Sequence, residues 1–320
     1  MKRGLGVVAI VAASCFWSSA VFAQSGAINK AVGGYTWEDA AKEAPATKKD
    51  GKLTFAIITH TAGNGFFDPV YVGAQVAANA FGINLIKLGS EAPMDDIPRE
   101  IQILNQIVND PTINGVILTT PQVGAYNDIV KKLEDRGVVV ATTNSFDGTL
   151  LDRSNISHTG QDASAAAIGG EAMAQCVIKS GMKGGSIVFP STTTLGNIEV
   201  NNRVKAAFEA TVKTLNAAGR LSDFKVDAGP ASIGVDVDSN NVVNSIVTLL
   251  ESRGDVVGAF AANAFVTTGL GNAIGQLKAS SKICSYGFDL GPSQREQIRQ
   301  GNLRGSLGQQ PFLQGFWPVM

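Results

Sequence analysis

The sequence predicts an α/β protein built as two doubly wound parallel-sheet lobes. Three observations carry this. Beyond residue 52, short apolar runs alternate with longer amphipathic runs, the element order of a doubly wound sheet. The short runs are near-continuous in Val, Ile and Leu, as in strands covered by helices on both faces. There are about ten of them, more than one compact sheet of ordinary size takes.

In chain order, strands are expected at 53–59, 83–88, 114–119, 138–142, 155–159, 185–190, 223–227, 256–262, 282–288 and 303–308. Helices are expected between them, centred on 68–81, 96–109, 125–136, 162–180, 200–218, 239–252, 265–279 and 292–300. Asp68 followed by Pro69 reads as an N-cap and first helical residue.

The first 51 residues stand apart. Lys2 and Arg3 precede an apolar run, and Val21-Phe22-Ala23 offers the small residues a signal peptidase reads before Gln24. Residues 1–23 are therefore expected to be a secretory signal peptide. Ser14, Ser18 and Ser19 interrupt the run, which falls short of the ~20 apolar residues of a membrane span. Residues 24–51 read as an exposed arm, with one short helix over "TWEDAAKEA" capped by Thr36.

Composition bounds the function. The chain has 320 residues, a net charge of -1, 44% hydrophobic and 17% charged residues. That is globular and large enough for two cores. Its charge gives no reason to expect nucleic acid as a partner. After cleavage two cysteines remain, Cys176 and Cys284. They could pair in an oxidising compartment, but their helix and strand patterns favour two small buried apolar residues. His60 and His158 are far apart and no CxxC occurs, so no metal is expected.

In open parallel sheets, ligands bind beyond the carboxyl ends of the strands. The residues just past them include His60, Asn64, Phe66 and Phe67, then Asn144 and Ser145. Later come Asn197, Arg203 near a helix start, Asn263, Asp289, Gln309 and Gln310. These are amides, a guanidinium, one carboxylate and aromatics. Planar polar groups make paired hydrogen bonds to adjacent hydroxyls, and aromatic faces stack on the C–H face of a ring. The set suits holding a polyol rather than transforming it: there is no Ser-His-Asp set, and glycoside hydrolysis needs two carboxyls.

Two glycine motifs compete with this reading. The turn Gly63-Asn64-Gly65 lacks the third glycine of a dinucleotide fingerprint, and Asp68 there would repel a pyrophosphate. Gly269, Gly271 and Gly275 fall inside a helical pattern, where small residues allow close helix packing. His60 has no visible nucleophile or carboxylate partner, so it reads as a hydrogen-bonding group. His158 reads as structural.

Over about 52–320 the chain resembles the periplasmic sugar-binding proteins of bacterial ABC importers, the ribose/galactose-type group. The resemblance rests on "FAIITHTAGNGFFDPVYVGAQ", "NGVILTTP", "VVVATTNS", "SHTGQDASAAAIGGEAM", "YGFDLGP" and "GQQPFLQGF", in that order. It implies a periplasmic binding protein type I fold with lobes joined by a hinge. The first lobe would be 52–159 plus 310–320, and the second 160–309. It implies a monosaccharide or cyclic polyol held by His60, Asn64, Phe66, Phe67, Asn144, Arg203, Asn263, Asp289 and Gln309, with no cofactor. It also implies a monomer in the periplasm that meets an ABC transporter permease. A sensor feeding a chemoreceptor or kinase is the alternative output; a transcriptional repressor should carry a helix-turn-helix where this chain has a signal peptide.

Asn144 stands where many ribose-type members carry aspartate followed by arginine, and here Ser145 follows. This is more like the group handling inositol-like and other simple sugars. Family members also run on for about one more helix and strand after "QQPFLQGF", so the sequence is expected to be incomplete at Met320.

Overall fold

The computed structural model describes residues 53–320 except 92–94, 151–155, 192–196, 228–230 and 233–238. The expected signal peptide and N-terminal arm lie outside the described residues.

Two five-stranded sheets organise the chain, and every strand pair in them is parallel. The first has the order β2-β1-β3-β4-β5, with β1 Thr54–Thr59, β2 Asn84–Gly89, β3 Gly115–Leu118, β4 Val139–Thr143 and β5 Ser157–Thr159. The second comprises β6 Gly185–Val188, β8 Phe224–Val226, β10 Val256–Ala261, β11 Cys284–Phe288 and β12 Gly305–Leu307, in the order β12-β11-β10-β6-β8. A two-stranded ladder of β7 Pro190–Ser191 and β9 Ala231–Ser232, too short to leave a periodicity, completes the strands described.

The helices are α1 Asp68–Phe81, α2 Ile97–Val108, α3 Asn127–Asp135, α4 Ala166–Lys179, α5 Ile198–Ala217, α6 Ser239–Arg253, α7 Ala264–Gln276, α8 Pro292–Arg299 and α9 Pro311–Val319. They cover both faces of each sheet, which is why the strands read as unbroken apolar runs. Along β1, Ala56 and Ile58 join a core with α2 and α3, while Phe55 and Ile57 join another with α1 and Val319 of α9. Along β10, Phe260 packs with residues of α4 and α5, and Ala259 and Ala261 with those of α6 and α7.

Four local features differ from the sequence reading or refine it. Asp68 is not the N-cap of α1: Phe67 is, with no side-chain cap, because Asn64 already satisfies the turn by accepting from Phe66 N at 3.0 Å. Asp68 is instead the first acidic residue inside the helix, where its charge suits the helix dipole. Cys176 and Cys284 are joined by a disulfide between α4 and β11, with Cα atoms 5.9 Å apart, which overturns their reading as unpaired buried residues. Helix α9 was not expected from periodicity, since Pro318 and Gly315 break its pattern. It lies so close to α1 that a Cβ on Gly315 would sit 1.7 Å from Val70 O. On α7, Cβ atoms at Gly269, Gly271 and Gly275 would meet Val242, Gln297 and Asn302 within 3 Å, so these glycines serve packing.

Candidate functional site: a cleft between the two sheets

The carboxyl ends of both sheets open on one cleft. All nine expected residues, His60, Asn64, Phe66, Phe67, Asn144, Arg203, Asn263, Asp289 and Gln309, line it. Its cavity volume is about 50 Å³, well below the range usual for small-molecule sites.

Local structure positions each group. Asn64 uses its side-chain carbonyl for the β1–α1 turn and lines the cleft. Phe67 is only 2% exposed and packs in the core, edge-on to Phe66 at 5.2 Å and to His60 at 5.4 Å. Phe66 is half-buried, so of the aromatic pair it is the one with a face to offer. Asn263 caps α7 by accepting from Val266 N at 2.9 Å. Asn144 and Asp289 adopt left-handed backbone, φ 61° and 75°. Asparagine and aspartate tolerate that region best among side chains with a Cβ, and the kink turns each one off the end of its strand.

The polar groups form a chain. Asp289 accepts from Gln309 Nε2 at 2.6 Å, Gln309 accepts from Gln314 Nε2 at 2.8 Å, and Gln314 accepts from Asn144 Nδ2 at 3.2 Å. Burial pushes the Asp289 carboxyl up, while Arg203, the Gln309 amide and the Ala264 backbone oppose it.

Arg203 is 3% exposed and lies over the Phe288 ring, its guanidinium carbon 4.1 Å from the centroid. One of its nitrogens, Nη1, donates to Ala262 O at 3.4 Å. Nη2 sits 3.4 Å from Glu199 Oε1, but not in hydrogen-bonding geometry. Arg203 Nε and Nη2 and Glu199 Oε1 have no hydrogen-bond partner among the described residues. A buried donor left unmade costs about 1–3 kcal/mol, more when charged.

Sequence reasoning missed Asp95, Glu199 and Gln314. Asp95 Oδ1 is 3.4 Å from His60 Nε2, and its Oδ2 accepts from Asn197 Nδ2 of the opposite lobe at 2.7 Å. The expectation that His60 lacks a carboxylate neighbour is thus wrong. So is the count of one carboxylate in the cleft: Asp95, Glu199 and Asp289 all line it. The signal was present, since Asp95 follows strand 83–88 just as the other site residues follow theirs. Asn197 also caps α5, accepting from Val200 N at 3.2 Å. His158 stacks on Phe146 at 4.5 Å and is not among the residues lining the cleft.

Behind His60 lies a carboxyl that does not line the cleft. Glu100 is fully buried, with Oε1 2.9 Å from Thr119 Oγ1 and Oε2 accepting from Tyr126 OH at 2.6 Å. Burial pushes it up to about 8. Among the described residues no cluster of three or more His, Cys, Asp or Glu could hold a metal ion.

A family model described as a periplasmic binding protein domain matches residues 55–320. Among curated proteins the chain is 28% identical to the xylose/arabinose-binding protein XylF of Sulfolobus acidocaldarius, over 84% of this chain and 64% of that protein. It is 25% identical to the ribose import binding protein RbsB of Escherichia coli, over 85% of this chain and 83% of that protein. Thus the chain spans less than two thirds of the first relative and more of the second. Among solved structures, a carbohydrate transporter solute-binding protein from Agrobacterium radiobacter, in complex with D-arabinose, superposes with TM-score 0.73 at 23% identity, covering 85% of this chain and 87% of that one. With the two parallel sheets and the cleft at their carboxyl ends, these matches assign the chain to the periplasmic binding protein family, in its two-lobed type I architecture.

Proposed function

We propose that this protein captures a monosaccharide or cyclic polyol between its lobes, in the periplasm, and delivers it unchanged to an ABC transporter permease. The observation that carries the reading is Arg203. A buried guanidinium with unmade donors, beside an unmade Glu199 oxygen, fits adjacent hydroxyls that each accept one bond and donate another. Asp289 and the amides of Asn64 and Gln309 extend the polar lining, and Phe66 offers an apolar face. The relatives' names, which speak of xylose, arabinose and ribose, support a simple sugar. The N-terminal sequence supports export.

A thermal-shift screen of pentoses, hexoses and cyclic polyols tests this, because a ligand that binds only the native state raises its stability. Calorimetry with the best binder should then show Arg203→Ala and Asp289→Ala each weakening it at least tenfold, about 1.4 kcal/mol. No shift from any sugar or polyol overturns the ligand class. Unchanged affinity in both variants overturns the site.

A further inference from the structure

Behind the cleft, one hydroxyl serves three partners. Thr119 Oγ1 lies 2.9 Å from the His60 backbone nitrogen, 2.8 Å from His60 Nδ1 and 2.9 Å from Glu100 Oε1. A threonine hydroxyl has one proton and two lone pairs. The backbone N–H takes one lone pair. The proton goes to Nδ1 or to Oε1, and the group left over must bring its own proton to the second lone pair. Protonated Glu100 and protonated Nδ1 therefore exclude one another. Tyr126 donates to Glu100 Oε2 in either arrangement.

The consequence reaches the cleft. With Glu100 protonated, the bonds run from Glu100 to Thr119 to Nδ1, and the ring proton sits on Nε2, facing Asp95 Oδ1. With Glu100 ionised, Thr119 donates back to it and the neutral ring carries its proton on Nδ1. Nε2 then turns a lone pair toward the carboxylate that grips Asn197 across the cleft.

We propose that Glu100 is a positioning residue which, through Thr119, fixes the His60 proton on Nε2 and thereby holds the Asp95–Asn197 clasp between the lobes. Burial of Glu100 keeps it protonated at neutral pH: Asp95 adds to the upward push, and the Tyr126 and Thr119 hydrogen bonds oppose it. Tyr71 on α1 is within electrostatic range of the same carboxyl. A doubly protonated ring is the other way to keep a proton on Nε2. It is disfavoured, because burial lowers the His60 pKa and Arg203 of the opposite lobe lowers it further, against a raising contribution from Asp95.

The effect on ligand affinity rests on the proposed sugar-capture reading; the relay does not. Nitrogen NMR of the ligand-free protein distinguishes the two ring tautomers, and the chain has only two histidines, so His158→Asn assigns the signal. In the unmodified protein the proton should sit on Nε2 at neutral pH and shift to Nδ1 as pH passes about 8. Glu100→Gln, whose amide donates to Thr119 at every pH, should hold it on Nε2 throughout. Thr119→Ser should behave as the unmodified protein. A proton on Nδ1 at neutral pH overturns the proposal, as does an identical titration in Glu100→Gln. If that variant does not fold, the titration of the unmodified protein decides alone.

With a sugar found by the screen, affinity should fall about tenfold above the Glu100 transition and stay flat in Glu100→Gln. Flat affinity in the unmodified protein overturns the clasp. If no sugar binds but the tautomer follows Glu100, the relay stands and the sugar reading falls.

Discussion

Glu100→Gln also makes a stability prediction whose size follows from burial. The carboxyl is fully buried, and its pKa rises from an ordinary 4.5 to about 8. The difference, 8 minus 4.5, is about 3.5 units, and at ~1.4 kcal/mol per unit it amounts to ~5 kcal/mol. The native state holds this proton where the unfolded chain releases it. The associated stability is therefore fully present below pH 4.5, declines as pH rises, and is lost by about pH 8. Glutamine has no proton to release. Urea unfolding of both proteins across this range should show the variant gaining on the unmodified protein by ~1.4 kcal/mol per pH unit, then levelling off. Any change in the bonds to Tyr126 and Thr119 adds a constant offset, so the slope is what matters. Other titrating groups are common to both proteins and cancel. A difference that varies by less than about 1 kcal/mol over the range would refute the desolvated carboxyl.

Two further substitutions separate packing from binding. Phe67→Ala should cost about 3–5 kcal/mol of stability as a large core truncation, whereas Phe66→Ala should leave the unfolding midpoint nearly unchanged and weaken ligand; the reverse pattern in unfolding and calorimetry would exchange their roles. Cys176→Ser should lose about 4–5 kcal/mol in the loop-entropy account, because the bridge closes a loop across 108 positions; equal stability of the unmodified protein with and without reductant would show that the bridge is not formed.

What was legible in the sequence was what burial writes into it. The strands of both main sheets are sandwiched between helices, so their Val/Ile/Leu runs stood out. The rule that ligands meet strand ends then led to the residues around the cleft. The losses have physical causes. Asp95 lies beyond β2, in a loop whose neighbour Asp96 is the N-cap of α2, accepting from Arg99 N at 3.2 Å; two adjacent aspartates look like one capping motif. Gln314 acts from inside α9, whose helix depends on packing against α1 rather than on its own Pro- and Gly-interrupted pattern. The Cys176–Cys284 pairing depends on where α4 crosses β11, which spacing does not encode. Glu100 occupies an apolar helix position with no local sign that Thr119 and Tyr126 would enclose it.

The same residues account for why closing the cleft and filling it would be one event on the proposed reading. The contacts that join the lobes across the opening include Asn197 to Asp95, and Ile198 N to Pro121 O at 2.9 Å. A hydrogen bond to a charged group contributes about 1.5–3 kcal/mol and a neutral one about 1. Against these stand the unmade bonds of Arg203 and Glu199, each costing about 1–3 kcal/mol when buried. The unmade bonds thus oppose the described clasp when no ligand is present. Hydroxyls that complete the Arg203 and Glu199 bonds remove the opposing term and leave the clasp in place. A clasp much stronger than two hydrogen bonds would hold the lobes shut whether or not they held anything, and a much weaker one would place the whole cost of closure on the ligand.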